Sequence, residues 1–153
     1  MDYQFDVSES VARPTLSIRT RTPVTQLPRE LGKNYGTIYQ YMLEIGAEPG
    51  EAAYAAYYNM DMNDLDVEMG FLTAKPQAGR GEIQSSEIPG GKQVSTLYKG
   101  PYNQMEPVYK AITEWMADNN YIPTGIAYEL YYNDPNQVPE SELLTKIVFP
   151  IKA

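Results

Sequence analysis

The chain is 153 residues long, carries a net charge of −8, and contains neither cysteine nor histidine. Those two absences exclude a disulfide framework, thiolate zinc sites and cysteine nucleophiles, and with them any Ser-His-Asp or Cys-His mechanism. The negative charge disfavours direct nucleic-acid binding, which Lys and Arg drive by releasing counterions from phosphates.

The chain opens MDYQFDVSES, an acidic start with no basic region followed by an apolar run. Nowhere do about 18 uninterrupted apolar residues mark a membrane span, so a cytoplasmic protein without membrane association is expected. Residues 12–21 alternate Leu16, Ile18 and Thr20 against Ser17 and Arg19, which predicts a strand. A helix is predicted over about 28–45, with Leu27, Leu31, Tyr35, Ile38, Met42 and Ile45 at steps of three and four, closed by Gly46 and Pro49. Strands follow at 53–59 and 66–73, and the stretch KPQAGRGEIQSSEIPGG (75–91) reads as a connector because of its Pro and Gly.

The same order then returns. Residues 92–98 alternate as a strand, a second helix begins with Asn103 as N-cap and Glu106 at capping-box spacing, and strands follow at 126–132 and 144–151. The second helix buries Met105, Val108, Ile112 and Trp115–Met116. Laid on itself at an offset of 78, the chain matches Ser8-Glu9 with Ser86-Glu87, Pro23 with Pro101 and Phe71 with Phe149. At an offset of 74, Tyr35, Ile38 and Met42 meet Tyr109, Ile112 and Met116, and Tyr57-Tyr58-Asn59 meets Tyr131-Tyr132-Asn133. The chain is therefore one domain built from two pseudo-repeats, about 8–74 and 86–153, each strand–helix–strand–strand. Its class is α+β, with antiparallel strands and the helices on one face.

Fourteen tyrosines stand against three Phe and one Trp. Tyrosine supplies a large apolar face and a hydroxyl that needs a partner. The strand YELYYNDP (128–135) sets Glu129 among such rings, where the first repeat, YAAYYNMD (54–61), has Ala55. Side chains alternate along a strand, and Ile126, Tyr128, Leu130 and Tyr132 form the more apolar set, expected to meet the helix. Ala127, Glu129 and Tyr131 would then face away from it, as would Ala53, Ala55 and Tyr57 in the first repeat. Glu129 is either a solvated acid on an open sheet face or an acid held against rings, where desolvation raises its pKa. In the second case a bound cation offsets the penalty and stacks on the rings, or a part-protonated carboxyl acts as a general acid or base. Glu68 alternates with Val67 and Met69 and faces away from their apolar side; it is a second candidate, or a surface charge. The acidic run Asp61, Asp64, Asp66 and Glu68 lacks the glycine and spacing of a calcium loop and reads as a solvated loop. No cofactor fingerprint is present, and none is expected.

Gly100-Pro101-Tyr102, the helix residues Tyr109, Ile112 and Trp115, Gly125, Tyr128-Glu129-Leu130-Tyr131, Asp134-Pro135 and Thr145-Lys146-Ile147 with Pro150 together resemble the GyrI-like family, which is also the effector-binding domain of AraC- and MerR-type multidrug regulators. The resemblance covers nearly the whole chain. It implies two modules forming a curved antiparallel sheet around a central groove that takes bulky hydrophobic or cationic aromatic compounds, with Glu129 as the key acid. Tyr131 and Tyr57 are nominated as its ring partners, with Tyr102 and Tyr98 beside them. Because no helix-turn-helix segment precedes residue 10, a stand-alone drug-sensing or drug-sequestering module is expected. Two further readings follow from the same resemblance: a hydrolase opening cyclopropane rings of DNA-alkylating compounds, with Glu129 and Tyr131 catalytic, or a partner of DNA gyrase or of a regulator.

Overall fold

A computed structural model of the chain describes residues 3–152. In chain order its elements are β1 (Asp6–Ser10), β2 (Arg13–Thr22), α1 (Leu27–Ile45), β3 (Pro49–Tyr57), β4 (Leu65–Thr73), β5 (Gln84–Ile88), β6 (Gly91–Lys99), α2 (Glu106–Asp118), β7 (Ala127–Tyr131) and β8 (Leu144–Pro150). The class is α+β, and the strand pairs described here are antiparallel. No helix is long and apolar enough to cross a membrane.

The chain divides into two compact units, one of Val11–Gly90 and one of the residues through Ser10 with those from Gly91 onward. In the first unit β4 lies between β3 and β2, and β5 pairs with the other edge of β2. In the second, β8 lies between β7 and β6, and β1 pairs with the other edge of β6. β1 and β5 are equivalent positions of the two repeats at the offset of 78. Each repeat thus gives its leading strand to the sheet of the other.

Neither β1 nor β5 was expected as a strand, and β5 falls inside the predicted connector. Their sequences, DVSES and QSSEI, are polar and mostly exposed, so no apolar alternation marks them. The repeat match at Ser8-Glu9 and Ser86-Glu87 is the trace they leave.

α1 turns one stripe to its sheet because Asn34, Ile38, Tyr41 and Met42 recur at steps of three and four and are buried. They pack with Leu16, Ile18, Val67 and Met69 of β2 and β4, and Asn34 Nδ2 reaches the Met69 sulfur at 3.4 Å. Ile45, expected in that stripe, is instead exposed. Gly46 ends the helix in the left-handed region, φ 66°, where a side chain is disfavoured. α2 does not start at an Asn103 cap. Asn103 lies in a 3-10 turn, Tyr102–Gln104, and Pro107 sits in the first turn of a helix whose cap, Met105, offers no side-chain bond. Val108, Ile112 and Met116 are its buried stripe.

Candidate functional site

Glu129 is central to β7 and is 8% exposed. Its antiparallel partner is Ile147 of β8, which packs with Val108 and Met105 beneath α2. Partners opposite one another in a ladder share a face, so Glu129 looks toward the helix. The helix answers: the Tyr109 hydroxyl of α2 donates to Glu129 Oε2, and the Tyr131 hydroxyl donates to Oε1 at 2.7 Å. One oxygen is held from the helix and the other from the strand. Tyr102 closes the group from the turn before α2, its ring 5.5 Å from that of Tyr131 and edge-on at 64°.

Burial pushes the Glu129 pKa up, and the hydrogen bonds from Tyr109 and Tyr131 oppose that rise. Burial likewise raises the Tyr102 hydroxyl, helped by the nearby charges of Asp134 and Glu129. Low local polarity and two fixed donors therefore compete over one proton. A positive charge brought to this carboxyl would tip the balance toward ionisation.

The first unit shows what the same scaffold does without the acid. Tyr35 is the counterpart of Tyr109, and Phe71 of Phe149. The ring pairs match, Tyr35 with Phe71 at 5.5 Å and Tyr109 with Phe149 at 5.7 Å, both edge-on. Ala55 offers nothing to the Tyr35 hydroxyl, which donates to the Tyr54 carbonyl at 2.6 Å. In the second repeat that hydroxyl is turned on a carboxylate.

This geometry reverses the expected facing. Glu129 and Tyr131 lie on the helix side of β7, and Tyr57 lies on the helix side of β3, packed against the α1 core beside its partner Val67. Tyr54 and Tyr58, expected to meet the helix, point the other way, with their hydroxyls on Glu68. Relative apolarity names the wrong set as the helix-facing one. Ala127 through Leu130 are all buried, however, so apolarity on β7 carries no information about which face meets the helix.

The remaining nominees fall as follows. Tyr102 joins the Glu129 group. Tyr98 is buried and its hydroxyl is taken by the Pro101 carbonyl at 2.8 Å. Tyr57 and Glu68 belong to the Val11–Gly90 unit and lie on opposite faces of its sheet. Glu68 is not a surface charge. It is 6% exposed and accepts from Tyr54 at 2.7 Å and Tyr58 at 2.5 Å, while the Arg19 guanidinium sits 3.8 Å above the Tyr58 ring. Its neighbour Asp66 is paired with Arg19 at 2.8 Å, and Asp64 with Arg21 at 2.9 Å. Asp66 is therefore an ion-pairing residue of β4, while Asp64 lies in the exposed bend just before that strand, as the solvated-loop reading expects. Tyr109 was missed as a site residue. It reads as one more ring on an amphipathic helix, and its signal was the match with Tyr35 in a repeat that differs at Ala55.

Residues 4–152 match the GyrI-like small-molecule-binding domain profile. The chain belongs to the GyrI-like family. No curated protein matches it in sequence. Among solved structures, the C-terminal domain of EcmrR superposes with a TM-score of 0.81 at 24% identity, covering 99% of each chain. EcmrR in its complex with DNA gives 0.85 at 23% identity, over 98% of this chain but 57% of that one, so this GyrI-like chain spans little more than half of EcmrR. A hydrolase from Listeria innocua gives 0.67 at 10% identity, covering 97% of this chain and 92% of that one. SAV2435 bound to tetraphenylphosphonium gives 0.66 at 12%, over 100% and 95%. At these identities the likeness is one of fold.

Proposed function

We propose that this GyrI-like domain binds amphipathic aromatic or cationic small molecules, with Glu129 meeting the ligand's positive charge, and that it serves drug sensing or sequestration. The observation that carries this reading is a buried carboxyl whose two oxygens each hold a tyrosine hydroxyl. A carboxylate has about four lone-pair sites, so each oxygen keeps capacity for a further donor or a nearby cation. An uncompensated charge in so dry a place is costly, and an incoming cation relieves that cost. The rings of Tyr102, Tyr109 and Tyr131 add apolar area and cation–π attraction. SAV2435, which shares the fold, binds a lipophilic aromatic cation.

The test is a fluorescence or calorimetric titration of tetraphenylphosphonium into wild type and Glu129→Gln. Loss of a buried opposite charge costs 2 kcal/mol or more, so the variant is expected to bind roughly thirtyfold more weakly. Equal affinity for the two proteins removes Glu129 from the site.

A second reading uses the same atoms. A carboxyl that keeps its proton beside a tyrosine hydroxyl is equipped as a general acid, which favours hydrolysis of a strained ring in a bound alkylating compound. Incubation with a cyclopropane-bearing alkylator, followed by mass spectrometry, separates the two. Ring-opened product that disappears with Glu129→Gln supports the enzyme, and saturable binding without product supports the binding module.

A further inference from the structure

The row of side chains next to Glu129 contains an anomaly. Thr145 of β8 is opposite Tyr131 of β7 on one side and Tyr98 of β6 on the other, so the three share the face that looks toward α2. Thr145 is fully buried, at 0% exposure, yet its hydroxyl has no hydrogen-bond partner among the described residues. Both neighbouring hydroxyls are engaged elsewhere, Tyr131 with Glu129 and Tyr98 with the Pro101 carbonyl. A buried hydroxyl without a partner forfeits the hydration it had in water, and folded proteins seldom leave one so. Valine fills the same space without that loss.

Thr145 and Glu129 are diagonal neighbours across β8 and β7, about 7–8 Å apart in such a ladder. The Glu129 side chain shortens that spacing, because its carboxyl is held by Tyr131, the residue opposite Thr145, and one nitrogen group can then hydrogen-bond to both. The carboxylate oxygens have lone pairs to spare, and the threonine oxygen has two lone pairs and its own proton free. A protonated amine or amidine brings several N–H donors and satisfies both at once. A fully alkylated or arylated onium ion brings charge but no donor, and leaves the hydroxyl unpaired.

We propose that Thr145 is a further ligand contact of the Glu129 site and that it selects aromatic cations whose charge sits on a hydrogen-bonding nitrogen over onium ions without N–H groups. This deepens the Glu129 reading and rests on it. The test uses 1-naphthylmethylamine, protonated at neutral pH, and its N,N,N-trimethyl derivative, which share one aromatic body and one charge. Calorimetric titrations compare wild type, Thr145→Val, Thr145→Ser and Glu129→Gln. The amine is expected to bind wild type more tightly than the trimethyl probe. Thr145→Val is expected to lose about ten- to a hundredfold of its affinity for the amine and none for the trimethyl probe, the size of one hydrogen bond to a charged group. Thr145→Ser keeps the preference. Valine fits the strand and removes a buried unpaired group, so its melting temperature should match or exceed that of wild type.

Thr145→Val binding both probes as wild type does, or weakening both equally, overturns the proposal. If binding depends on Glu129 while Thr145→Val is silent, the selectivity claim alone falls. If neither probe binds wild type, the Glu129 reading falls and this one with it.

Discussion

The Glu129 carboxyl sits between two influences of opposite sign, and its proton records which prevails. Burial favours the protonated form, and the tyrosine hydroxyls favour the ion. With the folded pKa above that of the unfolded chain, the folded state holds the extra proton between the two values. Stability is then complete below the ordinary carboxylate range and falls as pH rises through the folded pKa. Urea melts from pH about 4 to about 8 are expected to show this fall in wild type and not in Glu129→Gln, once the two curves are subtracted. A flat difference means the carboxyl gains no proton on folding. Tyr109→Phe removes one of the two opposing donors. It is expected to cost about 1–2 kcal/mol and to move the fall to higher pH, which the same melts measure. At this scale the sequence was informative about identity and silent about direction. An acid where the other repeat has alanine marked Glu129. The alternation rule failed on its facing, because β7 is buried on both sides and pattern alone cannot name the side that carries the helix. Thr145 was marked only as part of the Thr145-Lys146-Ile147 match and not as a contact, since its missing partner exists only in three dimensions.

Among the elements, the two helices and the buried strands were legible because periodicity of 3.6 or 2 reports burial on one face. β1 and β5 were not, because exposed edge strands have no buried face to report. The cap of α2 was misread for a different reason: Asn103 and Glu106 have capping-box spacing, but the chain closes a 3-10 turn there and starts the helix later with Pro107 in its first turn. Close strand contact also leaves a testable mark at Gly70 of β4. A Cβ there would lie 2.1 Å from the Leu16 carbonyl oxygen and 2.9 Å from the Ser17 Cα, both backbone atoms of β2. Backbone cannot swing aside as a side chain can. Gly70→Ala is therefore expected to lose about 2 kcal/mol or more in urea denaturation, and a loss under about 0.5 kcal/mol contradicts the packing described.

Across the chain as a whole, corresponding residues keep their local geometry while one difference changes their chemistry. Tyr35–Phe71 and Tyr109–Phe149 keep the same ring geometry in the two repeats, while Ala55 and Glu129 give them different chemistry. The compact units do not coincide with the repeats, because β1 crosses to β6 and β5 to β2. Removing residues 1–10 should therefore harm the half of the sequence that lies farthest along the chain. Hydrogen exchange is expected to quicken in β6 and to stay unchanged in β2, whose neighbours are β4 and β5. Faster exchange in β2 with none in β6 contradicts the exchange of strands.

A bound cation is expected to find its charge partner in one buried acid, Glu129. The most direct measurement is the NMR titration of the Glu129 side-chain carboxyl carbon, free and saturated with tetraphenylphosphonium. A raised pKa in the free protein and a clear fall on saturation are expected. Full occupancy that leaves the Glu129 titration where it was contradicts that pairing.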